Sequence, residues 1–337
     1  MKLITNPPNP FVSEYRELLE PAQQVKVEIY EEDTKDILSH NTSPDLPFRW
    51  SVNPYRGCFH GCTYCYARPS HEYWGFGAGT DFESKLIVKP NAADRLRQAF
   101  LKPSWKGELI VFSGNTDCYQ PIEATYQLTR QCLEVCREFR NPVGIITKSA
   151  LIQRDIDVLL ELHQQAWIAV YLSIPFNDND TARKVEPHAP SITKRFETLE
   201  KLSKAGISTG VSIAPVIPGL NEQDIPNILH RARLAGATAA TFILLRLPGN
   251  VEPVFLQQLG QDFPDRLKKV TNRIREVRGG TMTDNTFFTR HTGQGHSWHT
   301  IQQLFEMSYK KEGFPQEPDP PIPHTFQRPG PTQTSLF

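Results

Sequence analysis

The chain has 337 residues and is 39% hydrophobic, enough for one large α/β domain with extensions or for two domains. Its 37 basic and 37 acidic residues cancel, which excludes an overall electrostatic pull toward nucleic acid and leaves only a local basic groove open. There is no run of about 18 apolar residues and no apolar signal segment in MKLITNPPNPF, and the six cysteines form no disulfide framework, so a cytoplasmic protein with no membrane partner is expected.

Residues 1–47 read as an N-terminal arm. Pro7, Pro8 and Pro10 bar regular structure at its start, Ser13–Gln24 has the spacing of a short helix, and Lys26–Tyr30 alternates as a strand. From 48 to 247 short apolar runs alternate with helical periods. Strands are predicted at Trp50–Asn53, Glu108–Ser113, Val143–Thr147, Ile168–Ile174, Thr209–Pro215 and Thr238–Leu245. Helices are predicted between them, near 91–101, 124–139, 152–164, 191–205 and 222–235. This alternation predicts an α/β fold with a parallel sheet, a partial (β/α)6 TIM-like barrel whose functional groups sit at the C-terminal strand ends. A helical C-terminal extension follows at 248–312, interrupted by a Gly-, Thr- and Asn-rich loop at 279–295. Residues 313–337 are proline-rich and are expected to be disordered or extended.

The stretch Asn53–Arg68, NPYRGCFHGCTYCYAR, directly follows the first barrel strand and holds Cys58, Cys62 and Cys65 in a CxxxCxxC spacing. Thiolates are the usual ligands of iron–sulfur clusters, and three without a fourth leave one iron of a [4Fe–4S] cluster open. A zinc site completed by His60 or His71 is a second reading, although its spacing is unusual, and buried cysteines with no ligand role are a third.

CxxxCxxC followed by an aromatic, Tyr66, resembles the signature of the radical SAM superfamily. The wider pattern, with SGNTDCYQPIE at 113–123, resembles the branch related to spore photoproduct lyase, over roughly residues 48–247. That resemblance implies a [4Fe–4S] cluster on Cys58, Cys62 and Cys65. It further implies S-adenosyl-L-methionine on the open iron and its one-electron cleavage to a 5′-deoxyadenosyl radical. It implies cofactor contacts from Tyr66, from Ser113, Gly114 and Thr116 after the second strand, from Lys148 and Ser173 after the third and fourth, and from Val216 at the end of the fifth. Glu186 and Arg195 pair or reach the same cofactor, and Arg246 faces the barrel mouth as a substrate or cofactor contact. A reductant such as flavodoxin or ferredoxin and, by likeness, DNA are the implied partners. In spore photoproduct lyase a cysteine after the second strand returns a hydrogen atom. Here Asn115 takes that position, and Cys118, three residues on and the nearest thiol, is the candidate hydrogen donor if the loop turns it inward.

Cys132 and Cys136 share a helix face and read as core residues. The 290–299 patch, with His291, His296 and His299, reads as a turn leading into a helix. The terminal QTSLF resembles a sliding-clamp docking peptide, with Gln333, Leu336 and Phe337 as anchors. The expected function is a radical SAM enzyme in DNA repair or modification. The alternatives are the same chemistry on tRNA, protein or a small molecule, and a non-enzymatic zinc-binding or clamp-associated adaptor.

Overall fold

The structure, a computed structural model, describes residues 26–316 and 321–329. The predicted helix at 13–24 and the clamp-docking anchors Gln333, Leu336 and Phe337 lie outside the described residues.

Among the described residues there are ten strands: β1 Glu28–Glu31, β2 Leu38–His40, β3 Trp50–Val52, β4 Tyr55–Arg56, β5 Lys85–Val88, β6 Ile110–Phe112, β7 Val143–Thr147, β8 Ile168–Ser173, β9 Thr209–Val216 and β10 Ala239–Leu244. Seven of them form one sheet in the order β10-β9-β8-β7-β6-β3-β2. β3, β6, β7, β8, β9 and β10 are mutually parallel and adjacent in chain order, while β2 adds antiparallel to β3. Helices at Leu128–Glu138, Ile156–Gln165, Ile192–Lys204 and Ile225–Leu234 fill the crossovers from β6 to β10. Parallel neighbours require such crossovers, so strand–helix alternation and sheet order are two faces of one constraint. Among the described residues no pairing joins β10 to β2, and the six βα units make a partial barrel.

The parallel strands read as continuous apolar runs because both faces are covered. Ile110, Phe112, Val143, Ile145, Val170, Leu172, Val211 and Ile213 are completely buried. The helix Leu128–Glu138 turns Leu128, Cys132, Leu133, Val135 and Cys136 inward. Cys132 and Cys136 are therefore core residues, as their four-residue spacing predicts.

A second sheet, in the order β1-β5-β4, lies outside the barrel. β4 runs antiparallel to β5, so residues 57–84 form an excursion closed by that pair. This excursion contains the three-cysteine loop. The Gly57 backbone is left-handed (φ 69°), and a Cβ there would stand 2.9 Å from the Phe82 and Lys85 carbonyl oxygens. Only glycine fits the turn at that closeness.

The C-terminal extension is helical at Val251–Asp262, Pro264–Val277 and Gly295–Lys311. Residues 321–329 are extended and lie on the body. Phe326 is buried and stacks on Phe139, with ring centroids 6.1 Å apart. The Gln327 N–H donates to the Phe139 carbonyl at 2.8 Å, and the Arg328 guanidinium donates to the carbonyls of Phe100, Lys102 and Trp105 at 3.1, 2.6 and 2.9 Å. One buried phenylalanine, worth about 1.5–3 kcal/mol, and four main-chain acceptors hold down a segment with no regular structure of its own. No helix among the described residues is long and apolar enough to cross a membrane.

Candidate metal centre and cofactor site

The cysteine loop leaves β3 at the C-terminal rim of the sheet, as do the loops after β6, β7, β8, β9 and β10. Two devices hold it in place. Arg68, fully buried, donates from Nε to the Cys62 carbonyl at 3.0 Å and from its terminal nitrogens to the carbonyls of Gly61, Ala78 and Gly79 at 2.8 Å each. Its charge is met by Glu83 at 3.4 Å. From the other side, Gln120 accepts from the Phe59 N–H at 2.9 Å and donates to the Gly57 carbonyl at 3.0 Å. The backbone of a loop that could not satisfy itself is thus satisfied by two side chains.

Cys58 and Cys62 are each 6% exposed and Cys65 is half-buried. Burial pushes the Cys62 thiol up to about 12 and the Cys58 thiol well above its usual value, with Asp117, Cys62 and Cys65 adding to the effect at Cys58. The three sulfurs therefore lie within electrostatic reach of one another. The Asp117 N–H donates to the Cys58 sulfur, and the Ala67 N–H donates to the Cys65 sulfur. Three crowded thiols with backbone donors to two of them suit an iron–sulfur cluster, whose charge deprotonates the thiols and whose sulfurs are tuned by such donors.

The histidines that a zinc reading needs do not join the thiols in a single-ion site among the described residues. His71 packs against Phe76 and Phe82, with ring centroids at 5.1 and 5.6 Å. The His60 Nδ1 faces Asp117 at 3.4 Å. Among the described residues no three His, Cys, Asp or Glu side chains form a single-ion site.

Asp117 closes the centre from below. Its Oδ1 accepts from the Thr147 hydroxyl at 2.7 Å and the Tyr119 N–H at 2.9 Å, and its Oδ2 accepts from the Lys148 N–H at 2.8 Å. Burial opposes its charge, but His60 and these donors hold its carboxyl below the ordinary range. One carboxylate thereby ties the cysteine loop to the exits of β6 and β7.

A second buried network runs from the loop to β8. Tyr64, between Cys62 and Cys65, donates its hydroxyl to Glu186. Glu186 pairs with Arg195 at 2.5 Å, and Arg195 donates to the Ser173 carbonyl at 3.0 Å and the Pro190 carbonyl at 2.9 Å. The Lys148 ammonium stands 3.9 Å from Glu186 and 5.7 Å from the centre of the Tyr64 ring. Burial would raise the Glu186 carboxyl, but Arg195 and Lys148 overcome it and keep the pKa below normal.

Both carboxylates have folded pKa values below their unfolded ones. Their stabilisation is present in full above the ordinary carboxylate range and is lost as pH falls through it toward the folded values. The melting temperature is expected to fall below about pH 4.5. Glu186→Gln should flatten that acid slope, and an unchanged slope would show that Glu186 does not carry it.

The remaining predicted residues fall in several places. Tyr66 is half-exposed and donates its hydroxyl to the Gly114 carbonyl at 2.9 Å. Gly114 sits so close to Ser51 that a Cβ would come within 2.8 Å of the Ser51 Cβ. Ser113 accepts from the Cys118 N–H at 3.0 Å. The Thr116 hydroxyl donates to the Tyr55 carbonyl at 2.9 Å, which turns it toward the frame of the loop. Ser173 donates to the Ala214 carbonyl at 3.3 Å. Val216 is fully buried, and its carbonyl accepts from the Leu245 N–H. Cys118 is 1% exposed within the main core, and burial pushes its thiol far up. Its side chain packs in the main core beside the Ser113 hydroxyl. Asn115 instead faces the cysteine excursion, with its Nδ2 donating to the Ser70 hydroxyl at 3.3 Å.

Arg68, Asp117, Gln120 and Tyr64 were not among the residues expected to matter. All four lie inside the two quoted motifs, NPYRGCFHGCTYCYAR and SGNTDCYQPIE, so the signal was the joint occurrence of those strings. Their roles depend on which carbonyls the fold brings near.

The sequence of the radical SAM superfamily matches residues 52–232. An uncharacterized protein of Mycobacterium tuberculosis strain H37Rv is 36% identical over 234 residues, covering 69% of this chain and 68% of that protein. A radical SAM Nα-GlyT isomerase of Pseudomonas phage M6 is 26% identical over 235 residues, covering 68% of this chain and 47% of that protein. In three dimensions the chain is similar to spore photoproduct lyase complexed with dinucleoside spore photoproduct. The TM-score is 0.61 at 12% identity, with 85% of this chain and 79% of that one covered, a likeness of fold. The match across 52–232 spans the cysteine loop and the four barrel strands β6 to β9, and the chain belongs to the radical SAM superfamily, which uses a [4Fe–4S] cluster together with S-adenosylmethionine.

Proposed function

We propose that Cys58, Cys62 and Cys65 hold a [4Fe–4S] cluster and that the protein cleaves S-adenosylmethionine reductively in the repair or modification of DNA. A [4Fe–4S] cluster on these three thiols would supply the single electron for reductive cleavage of S-adenosylmethionine. The observation that carries the reading is the buried network joining the cysteine loop to the exits of β7 and β8 through Tyr64, Glu186, Arg195 and Lys148. The Lys148 ammonium, held beside Glu186, would pair with the cofactor's carboxylate. Glu186 and Arg195 neutralise each other and position Lys148 without taking up its charge completely. The Ser173 hydroxyl keeps acceptor capacity for a ribose hydroxyl. Gly114 and Tyr66 keep the backbone at the β6 exit close to the centre. The cofactor carries the hard chemistry, and the chain binds, orients and shields it.

The DNA part rests on spore photoproduct lyase, which shares the fold and is complexed with dinucleoside spore photoproduct. Asn115 in place of the donor thiol, with Cys118 inside the core, separates the hydrogen-return step from that of the lyase. The electron comes from a flavodoxin- or ferredoxin-like reductant.

Anaerobic reconstitution with dithionite tests the reading. The expected result is a brown protein that forms 5′-deoxyadenosine from S-adenosylmethionine, faster when damaged or modified DNA is added. A colourless protein that retains zinc would sink the cluster assignment. Stimulation by tRNA or a protein fraction and not by DNA would move the substrate class.

A further inference from the structure

At the exit of β10 the chain gathers positive charge that the site above does not use. Arg246 stands two residues past the strand. The loop 284–292 closes on it from one side, with the Leu244 N–H donating to the His291 carbonyl at 3.1 Å. From beneath, Arg278 donates to the carbonyls of Leu245, Arg290, Thr289 and Thr292 at 2.7–3.1 Å. Across the mouth lies the turn that follows the cysteines: a side chain at Gly249 would touch Pro69, and the Asn250 amide bonds to Glu72. The rim therefore borders the same opening as Tyr66 and the cysteine loop.

Three guanidiniums, of Arg246, Arg278 and Arg290, share this rim with two carboxylates, of Asp45 and Asp284. Both carboxylates are committed. Asp45 is gripped by Arg290 at 2.6 and 2.7 Å and by the Phe288 N–H at 3.1 Å. Asp284 accepts from the Thr286 N–H at 2.8 Å and the Thr289 hydroxyl at 2.5 Å. Arg278 reaches only neutral carbonyls. Arg246 makes no hydrogen bond or ion pair with any described residue, and its Nε is buried. Both ring nitrogens of His291 are also buried without a hydrogen-bond partner, Nε2 standing 3.7 Å from Asp45. Burial, with Arg246 and Arg290 nearby, pushes His291 down to about 4, so its ring is neutral and offers one N–H. A half-buried cation and a buried donor without partners are costly, and the cost is offset when an anion enters.

The same loop shows a second departure from ordinary packing. Phe288 has a left-handed backbone (φ 69°), unfavourable for a bulky side chain, yet its ring is 66% exposed. Neighbouring Phe287 lies under Arg290 at 4.8 Å. Backbone strain that presents an aromatic to solvent, on the loop that carries Arg290 and His291, is the arrangement of a stacking platform.

We propose that this rim seats one phosphodiester of a single-stranded nucleic-acid segment on Arg246 and His291, with the adjoining base stacked on Phe288. The proposal rests on the nucleic-acid reading above and deepens it. The guanidinium fork suits a phosphate, and a local cation explains how a chain of zero net charge engages a polyanion.

Fluorescence anisotropy with an end-labelled single-stranded DNA oligonucleotide, using the reconstituted full chain without reductant, tests it. Arg246→Gln should weaken binding at least tenfold and lower the slope of log K against log salt by about 0.7, the share of one phosphate contact. Phe288→Ala should weaken binding about 5- to 100-fold with the salt slope unchanged. Arg246→Lys, which keeps the charge and loses the fork, should retain the slope, and Lys204→Gln, on the exposed face of the 192–204 helix, should change nothing. If the wild-type chain binds the oligonucleotide and both variants match it, the assignment is overturned while the function reading stands. If the wild-type chain binds no oligonucleotide yet forms 5′-deoxyadenosine, the nucleic-acid reading falls and this site with it. Loss of S-adenosylmethionine binding in Arg246→Gln, with oligonucleotide binding intact, would assign Arg246 to the cofactor and overturn the proposal.

Discussion

Cys58→Ala is expected to lower the iron content of the anaerobically reconstituted protein from about four atoms per chain to less than one, and to reduce 5′-deoxyadenosine formation to background. The expectation separates cluster loss from misfolding. Cys58 belongs to a small cluster with Ala67 and Phe82 and not to the main core, so removing its sulfur leaves the barrel packed. Cys132 gives the contrast. It is fully buried on the inner face of the helix Leu128–Glu138, and Cys132→Ala should cost stability through a small cavity while iron and turnover are kept. Iron analysis and circular dichroism on both variants decide the matter. Full iron in Cys58→Ala, or loss of iron in Cys132→Ala alone, would reverse the assignment of ligand and core cysteine.

Arg68→Ala is expected to be the most damaging change outside the ligands. The guanidinium supplies four hydrogen bonds to loop carbonyls and the counter-charge of Glu83, and all of these groups are out of water. Leaving Glu83 as an unpaired buried carboxylate costs about 3–5 kcal/mol, before the carbonyls are counted. Burial already pushes the Glu83 carboxyl up to about 7 with Arg68 in place, so part of the loss will appear as protonation of Glu83. The loss should therefore be greater at high pH, where Glu83 must stay charged, than at low pH. Arg68→Lys keeps the charge and cannot reach four carbonyls, so it should recover part of the stability and little of the iron. Thermal unfolding and iron retention across pH 5–9 check this. A melting temperature and iron content equal to wild type would mean that the loop supports itself.

Much of the fold was legible in the chain. The runs at 143–147 and 168–174 are strands almost to the residue, since a strand buried on both faces leaves an uninterrupted apolar signature. The helix 128–138 was legible because its inward residues recur at helical spacing. At the site, the spacing of the three cysteines restricts the chemistry, and Glu186 and Arg195, expected to pair or to reach a cofactor, meet in a buried pair. Arg68 and Asp117 were not legible. A buried arginine and an exposed one look alike in sequence, and only the folded backbone shows which carbonyls lack a donor. Thr116 illustrates the reverse: its place after a strand suggested a ligand contact, and its hydroxyl is directed to the Tyr55 carbonyl. The proline-rich segment 321–329 reads as disordered or extended and is extended, but that Phe326 docks it was not legible, because its stability comes from a surface 180 or more residues away in the chain, which local composition cannot report.

By itself the sequence determined the class of chemistry and the order of the sheet. Cysteine spacing in a glycine-hinged loop and the alternation of apolar period are local properties, written within a few residues of one another. Only the tertiary structure decided which polar groups share a charge and which remain unpaired. Asp117 at the Lys148 N–H, Arg195 on Glu186, and Arg246 with no hydrogen bond to any described residue depend on distances between strand ends far apart in the chain. Electrostatic energy follows those distances and the burial around them, and neither quantity exists until the barrel is built.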